Sequence, residues 1–482
     1  MTNKSLLKAA YEPEAFRTIG HQLIDQLADY LASCRQGGEG LPANPWISPE
    51  EAKARWAPAI EAAGTVSSSQ ILKDTLLEGV HLHHPKYMGH QISPPIPITA
   101  LAGLVGDWMN NGMGVYEMGV PGSTMEHLVI KMVSKHMGFG ADADGYITSG
   151  GTLANTTALL AARSIKAKQN IWQDGHQEPL ALMVSEAAHY CVDRAVKIMG
   201  WGEAGVIKVP VNEQYQMDTT QLERLYQEAL DSGRQVIAVV GSACSTATGS
   251  FDNLEDISAF CQVHDLWFHV DGAHGAALAF SKKYKHLVQG IHLADSVAMD
   301  FHKMLLTPSI TTALIFKEGK HSYQTFSQRA DYLFEQADPE WFNLAKRTFE
   351  CTKLMLGFKA YITLSQYGVA LWDEAVTAVV DLSQELARMV KERSTFELAV
   401  DPACNIVCFR YASDDLSLAE INALNERLRQ EILEDGEFYI VKTWLGERLW
   451  LRTTLANPLS TKKELEGLLD KIERLVHAHS PV

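Results

Sequence analysis

No stretch of this sequence approaches the ~20 consecutive apolar residues that a membrane-spanning helix needs. Positive charge is also scarce. Lys and Arg number 42 against 58 Asp and Glu, giving a formal net charge of −16. A nucleic-acid backbone, which demands clustered cations, is therefore excluded as the expected partner. The seven cysteines (Cys34, Cys191, Cys244, Cys261, Cys351, Cys404, Cys408) are odd in number, scattered, and without a C-x-x-C pair. That rules out a disulfide framework or a zinc site by spacing, and it points to a reducing compartment. Met1 to Ala10 lacks the apolar core of a signal peptide, so a cytoplasmic location is the expectation. Neither G-K-[ST] nor G-x-G-x-x-G occurs after a strand, which removes P-loop nucleotides and argues against dinucleotides. Internal repeats and low-complexity tracts are absent as well. His81, His83 and His84 cluster before Pro85, but no Cys or carboxylate stands at ligand spacing from them, so no metal is expected.

What remains is an ordinary globular composition, 46% apolar and 21% charged, in a chain long enough for two or three domains. Pro13 to Arg35 has apolar residues at helical spacing and reads as an amphipathic helix, stopped by Gly37-Gly38. Ser48-Pro49-Glu50-Glu51 is a capping box with proline at the first helical position. From Gly145 onward strands and helices alternate. Strands are expected at Gly145–Thr148, Pro179–Ser185, Gly205–Val211, Gln235–Gly241, Leu266–Asp271 and Ser296–Met299. This rhythm predicts a mainly parallel sheet flanked by helices. The segment from Phe316 to Glu350 loses the pattern and reads as a long polar, aromatic-bearing loop, the kind that serves as a lid. The last hundred residues return to a smaller α+β pattern. Domain boundaries are expected at 1–80 (N-terminal helical segment), 81–375 (large α/β domain) and 376–482 (small C-terminal domain).

Three features carry chemistry. Strand Leu266–Val270 delivers Asp271 at its C-terminal end, and the next strand delivers His302 and Lys303. In a parallel sheet those ends share the edge at which ligands bind. The third feature is Thr148-Ser149-Gly150-Gly151-Thr152, a small-residue turn opening a helix, where backbone N–H groups and the helix dipole suit a phosphate. A buried carboxylate, a lysine and a phosphate cradle together suit pyridoxal phosphate. The amine bonds the aldehyde, and the carboxylate keeps a proton on the ring nitrogen.

His269-Val270-Asp271, Asp300-Phe301-His302-Lys303, His84-Pro85 and Arg452-Thr453-Thr454-Leu455-Ala456-Asn457-Pro458 extend the pattern along nearly the whole chain. With them the sequence resembles the group II pyridoxal-phosphate-dependent amino-acid decarboxylases, which act on glutamate, cysteine sulfinate, diaminobutyrate or aromatic amino acids. The resemblance implies a type I pyridoxal-phosphate transferase fold and a homodimer whose N-terminal helical segment packs across the two-fold axis. It implies Lys303 as the Schiff-base lysine, Asp271 as the ring-nitrogen partner, and His189 stacked on the ring. Ser149, Gly150 and His302 would hold the phosphate, Thr246 would lie near the ring oxygen, and Ala273 would pack beneath the ring. Tyr332, on the loop, would protonate the substrate Cα, and Arg452 would pair with a substrate carboxylate. Two departures stand out. Many relatives carry Asn-Pro-His-Lys where this chain has Asp300-Phe301-His302-Lys303, so no phosphate role passes to Asp300. The family's Thr-Thr motif appears here as Ser245-Thr246-Ala247-Thr248.

Gln91 lies in a loop matching a stretch of the glutamate and cysteine-sulfinate enzymes, and it could hydrogen-bond an acidic side chain. An acidic amino acid is therefore the expected substrate. The alternatives are diaminobutyrate, whose enzymes share Asp-Phe-His-Lys, an aromatic amino acid, or decarboxylation-dependent aldehyde synthesis. The last replaces the loop tyrosine or the stacking histidine, and both are present here as Tyr332 and His189.

Overall fold

The computed structural model of the chain describes residues 5–64, 66–326 and 340–479. It divides into two compact units. One comprises Gln91–Arg388 with Leu398–Cys408, the other Met1–His90, Met389–Glu397 and Phe409–Val482.

The larger unit is built on seven strands: β1 (Asp144–Thr148), β2 (Leu180–Ser185), β3 (Val206–Val209), β4 (Gln235–Ser242), β5 (Trp267–Asp271), β6 (Ser296–Asp300) and β7 (Thr312–Phe316). They lie in the order β1-β7-β6-β5-β4-β2-β3. The β2–β3, β2–β4, β4–β5 and β5–β6 pairs are parallel, and β7 alone runs against its neighbours β1 and β6. The expected mainly parallel sheet is thus present. Strand β7 was absent from the sequence reading, because a five-residue apolar run next to a turn has too little periodicity to declare its type.

Every residue of β1, β2, β5, β6 and β7 is buried. Strands covered on both faces read as apolar runs, not as alternations. The helix Gly151–Lys166 supplies Ala154, Ala158, Ala161 and Ala162 to a core shared with Leu180, Leu182 and Val184 of β2. Its small side chains allow a close approach of helix to sheet. Asn253 caps the helix Leu254–His264, and Phe251, two residues before the cap, pairs with Ala243 in an isolated bridge.

Strand β1 is an edge, and edges leave backbone groups to be satisfied. Here Glu126 Oε1 accepts from the Ile147 N–H at 3.0 Å and from Lys353 Nζ at 2.5 Å, while Lys353 Nζ also donates to the Ile147 carbonyl. Both side chains are almost fully buried. This pair holds the strand that leads into the Gly150 turn. Nearby, buried Arg347 donates to Asp144 Oδ2 at 2.6 Å, to Ser322 Oγ and to the Tyr323 hydroxyl.

The smaller unit contains the helices Pro13–Arg35, Pro49–Glu61, Ser68–Glu78, Leu418–Asp435 and Lys462–His479. The predicted capping box of Ser48 and Glu51 is formed, and Ser417 with Glu420 forms another. A four-stranded sheet is ordered β10-β11-β9-β8, with β8 at Phe396–Leu398, β9 at Ile406–Tyr411, β10 at Val441–Leu445 and β11 at Arg448–Thr454. His81 and His84 serve the backbone. His81 Nδ1 lies 2.7 Å from the Pro42 carbonyl, and His84 Nε2 lies 3.3 Å from that of Gly38. Gly38, at φ +64°, has to be glycine, since a Cβ there would meet the His84 ring at 2.2 Å. Among the described residues no helix is long and apolar enough to cross a membrane.

Lys353→Met removes one partner of a buried pair and leaves Glu126 charged inside the protein. A loss of about 3–5 kcal/mol of unfolding free energy is expected. Urea unfolding followed by circular dichroism measures it, and an unchanged midpoint would show that the pair does not hold the edge strand.

Candidate active site

The C-terminal ends of β4, β5 and β6 lie side by side, with Ser242 opposite Asp271 and Asp271 opposite Ala298. Two residues beyond Ala298, β6 ends at Asp300, and the short helix Phe301–Met304 carries Lys303. The backbone ties the two turns together through the Asp300 N–H, which donates to the Ala273 carbonyl at 3.0 Å.

Asp300 proves to be a hub. Its carboxylate is 2% exposed as a residue, accepts from Thr312 Oγ1 through Oδ1, and faces Lys303 Nζ at 3.1 Å and His302 Nε2 at 3.6 Å through Oδ2. It therefore points at the lysine. Burial pulls the Lys303 amine towards its uncharged form, but the nearby carboxylates of Asp300 and Asp271 outweigh that pull and hold its pKa above the ordinary lysine value.

Asp271 is buried. Its Oδ1 accepts from the Ala273 N–H at 3.2 Å, and its Oδ2 lies 3.9 Å from Cys191 Sγ. Burial and the Asp271 charge push the Cys191 thiol up to about 12, so it remains a neutral donor. Behind them stands a polar chain. Asn155 Nδ2 donates to Cys191 Sγ at 3.3 Å, Asn155 Oδ1 lies 2.8 Å from His269 Nε2, and His269 Nδ1 lies 2.8 Å from Ser296 Oγ. Complete burial drops His269 to about 4 against the opposing influence of Asp271, so the ring is neutral and Nε2–H donates to the amide oxygen. His269 and Asp271 share one face of β5 because strand side chains alternate with a period of two.

His189 follows β2 in the turn Glu186–His189. It is half-buried, its Nδ1 accepts from the Cys191 N–H at 3.3 Å, and its ring lies 4.2 Å from that of Tyr190. Burial lowers its pKa despite Asp271, which leaves it neutral. His189, Thr246, Asp271, Ala273 and Lys303 line one cavity of about 140 Å³.

Ser149, Gly150 and His302 border a second, wider cavity of about 680 Å³, and Gly151 and Thr152 line both. Gly150 sits at φ +132°, a conformation that only glycine adopts without strain, and no side chain caps the helix it opens. Ser149 Oγ donates to Glu350 Oε1 at 2.8 Å, and His302 Nδ1 accepts from the Thr311 N–H at 3.3 Å. Ser93 bonds the His302 carbonyl through its N–H at 3.1 Å, which pins the loop beginning at Gln91 beside the lysine segment. Gln91 Nε2 is buried and has no hydrogen-bond partner among the described residues. Arg452 lies on β11 of the smaller unit and is buried. Tyr332 lies outside the described residues.

Pyridoxal phosphate fits this donor set. An uncapped helix start opened by a positive-φ glycine offers N–H groups to a phosphate, while a buried carboxylate and a buried amine share the adjoining cavity. Sequence reasoning missed Asn155, Cys191, Thr312 and Glu350. Asn155 had a faint signal, as the one amide side chain in the helical stretch three residues past the turn. The others had none.

Replacing Asp300 by Asn removes a charge that favours the ammonium while burial continues to favour the free amine. In cofactor-free enzyme, acylation of Lys303 by an amine-reactive reagent should therefore reach its midpoint at lower pH in Asp300→Asn. Mass spectrometry across a pH series reads this, and an unmoved profile would remove Asp300 as the partner of Lys303.

The pyridoxal-dependent decarboxylase conserved domain matches residues 66–412. An L-2,4-diaminobutyrate decarboxylase of Acinetobacter baumannii is 28% identical over 86% of this chain and 84% of its own. An aromatic-L-amino-acid decarboxylase of Bacillus atrophaeus is 25% identical over 96% and 95%, and an acidic amino acid decarboxylase of Bos taurus 26% identical over 89% and 85%. The crystal structure of mouse CSAD superposes with a TM-score of 0.89 at 24% identity, covering 96% of this chain and 99% of that one, and it shares the fold. The match runs through most of the chain and includes the ends of β2, β4, β5 and β6, so the chain belongs to the pyridoxal-dependent decarboxylase family and is a pyridoxal-phosphate-dependent amino-acid decarboxylase.

Proposed function

We propose that this decarboxylase releases carbon dioxide from an acidic L-amino acid: glutamate, aspartate or cysteine sulfinate. The observation that carries the reading is Gln91 Nε2, a buried amide donor without an acceptor among the described residues, on a loop pinned to the backbone of His302. A buried donor left unmatched costs stability, and a carboxylate or sulfinate on the substrate would supply the acceptor. Asp300 does not favour a cationic side chain, because Lys303 and Thr312 already occupy its carboxylate.

Bound pyridoxal phosphate supplies a sink for the electron pair left when the bond between Cα and the carboxylate breaks. The protein's part in this reading is to hold and to move protons. Lys303 holds the cofactor through its side-chain nitrogen, Asp271 keeps a proton on the ring nitrogen, and His189 takes the stacking position as a neutral ring. Ser149, Gly150 and His302 take the phosphate, which requires the Ser149 hydroxyl to turn from Glu350. Thr246 and Ala273 complete the cavity around the ring. Arg452 pairs with a substrate carboxylate through its planar fork. Tyr332 returns a proton to Cα after carbon dioxide has left.

A second reading has its own observation. Glu350 Oε2 is buried without a hydrogen-bond partner among the described residues, beside Ser149, and could take the ammonium of diaminobutyrate.

Carbon dioxide release across glutamate, aspartate, cysteine sulfinate, diaminobutyrate and the aromatic amino acids decides between them. Release from an acidic substrate is expected, with Gln91→Ala raising its KM by roughly ten- to a hundredfold and changing kcat little. Release from diaminobutyrate alone would overturn the acidic reading in favour of Glu350. In the same assay Tyr332→Phe should divert product from amine towards aldehyde, and an unchanged amine yield would take Tyr332 out of the mechanism.

A homodimer belongs to the same proposal. Phe16, Ile24 and Leu27 of the helix Pro13–Arg35 are exposed at helical spacing, an apolar face that a second copy would cover. Sedimentation equilibrium should give about twice 53.3 kDa, and a mass of one chain would dispose of the dimer.

A further inference from the structure

We propose that Cys244, His274 and Cys404 form a site for a soft divalent cation of the zinc type in the wall of the cofactor cavity. The spacing of these residues in the sequence offers no metal motif. The fold assembles them from three segments, with Cys244 two residues past β4, His274 three past β5 and Cys404 two before β9. One ligand atom from each lies within 4.8 Å of the other two.

The geometry fits a tetrahedral centre. The two sulfurs are 3.6 Å apart. Sulfurs bound to zinc at about 2.3 Å on two tetrahedral corners would stand about 3.8 Å apart. His274 is set for ligation. Its Nε2 lies 2.6 Å from the Asn405 side-chain oxygen, which can only accept, so the ring proton sits on Nε2 and Nδ1 keeps its lone pair. That Nδ1 is buried with no hydrogen-bond partner among the described residues. Fixing the tautomer of a ligating histidine through its second nitrogen is the usual support for such a ligand. Cys404 and His274 are almost wholly inaccessible, whereas Cys244 and His274 also line the cavity that holds Lys303 and Asp271. The cavity thus provides both an entry path and an open fourth position. Binding involves no redox change: the cation displaces the two thiol protons to solvent and accepts the imidazole lone pair. A disulfide accounts for less. The sulfurs would have to close to about 2.05 Å, and the orphaned Nδ1 of His274 would remain unexplained.

The test titrates reduced holoenzyme with Cd²⁺, whose thiolate complexes absorb in the ultraviolet. The expected result is a charge-transfer band saturating at one ion per chain, reversed by excess Zn²⁺ and accompanied by proton release. Cys404→Ser and Cys244→Ser should each weaken the binding by about tenfold or more, whereas Cys351→Ser, at an exposed cysteine, should leave it intact. Far-ultraviolet circular dichroism and cofactor absorbance check that each variant is folded, and if Cys404→Ser is not, Cys244→Ser and His274→Gln decide. Absence of the band, or a band that survives in the folded variants, overturns the proposal. So does a Cys244–Cys404 disulfide found by mass spectrometry after peroxide treatment of a protein that binds no Cd²⁺ when reduced.

Discussion

An amine can stay charged inside a protein only if opposite charge stays with it. Lys303 meets that condition through Asp300 at 3.1 Å, with Asp271 across the same cavity. The arrangement depends on two neighbouring parallel strands ending together, because β5 delivers one carboxylate and β6 delivers the other with the lysine. Thr312 of β7 then steadies Asp300 from the far side. Three chain segments are thereby committed to one cluster of charge, and the surrounding polar residues keep that cluster in register.

The support behind Asp271 shows how a reactive edge is kept rigid. His269, Asn155, Cys191 and Ser296 link the sheet to the helix Gly151–Lys166 through neutral hydrogen bonds. Burial ensures that neutrality by lowering the histidine and raising the thiol. Asp271 and Asp300 therefore remain the dominant charges facing Lys303. The same helix carries its uncapped first turn between the two cavities, with Gly151 and Thr152 lining both. On the far side of the turn, Glu126 and Lys353 hold β1, which fixes where Gly150 begins.

Much of the larger unit was legible in the sequence. Strand runs at Leu180, Gln235, Trp267 and Ser296, the Gly-Gly turn, and the Ser48 capping box all signal themselves through local patterns of apolar, small or capping residues. Strand β7 did not, because its reversed direction and its place between β1 and β6 come from pairing across the sheet. Asp300 was visible as an anomaly, an acid where relatives carry asparagine, yet its meaning lay in a distance to Lys303 and a hydroxyl on β7. Glu350 was invisible for the same reason, being 201 residues from the serine it touches.

The sequence by itself determined the class of chemistry. Asp271, Lys303 and the turn at Gly150 are each placed by the strand or helix immediately beside them, so local periodicity is enough to predict that they converge on one sheet edge. Tertiary structure decided which charges are paired and which polar atoms are left without partners. Asp300 belongs to Lys303, Gln91 Nε2 has no hydrogen-bond partner among the described residues, and three cysteine and histidine side chains without a motif meet at Cys244. These are properties of distances between segments up to 160 residues apart, which packing creates and residue order does not encode.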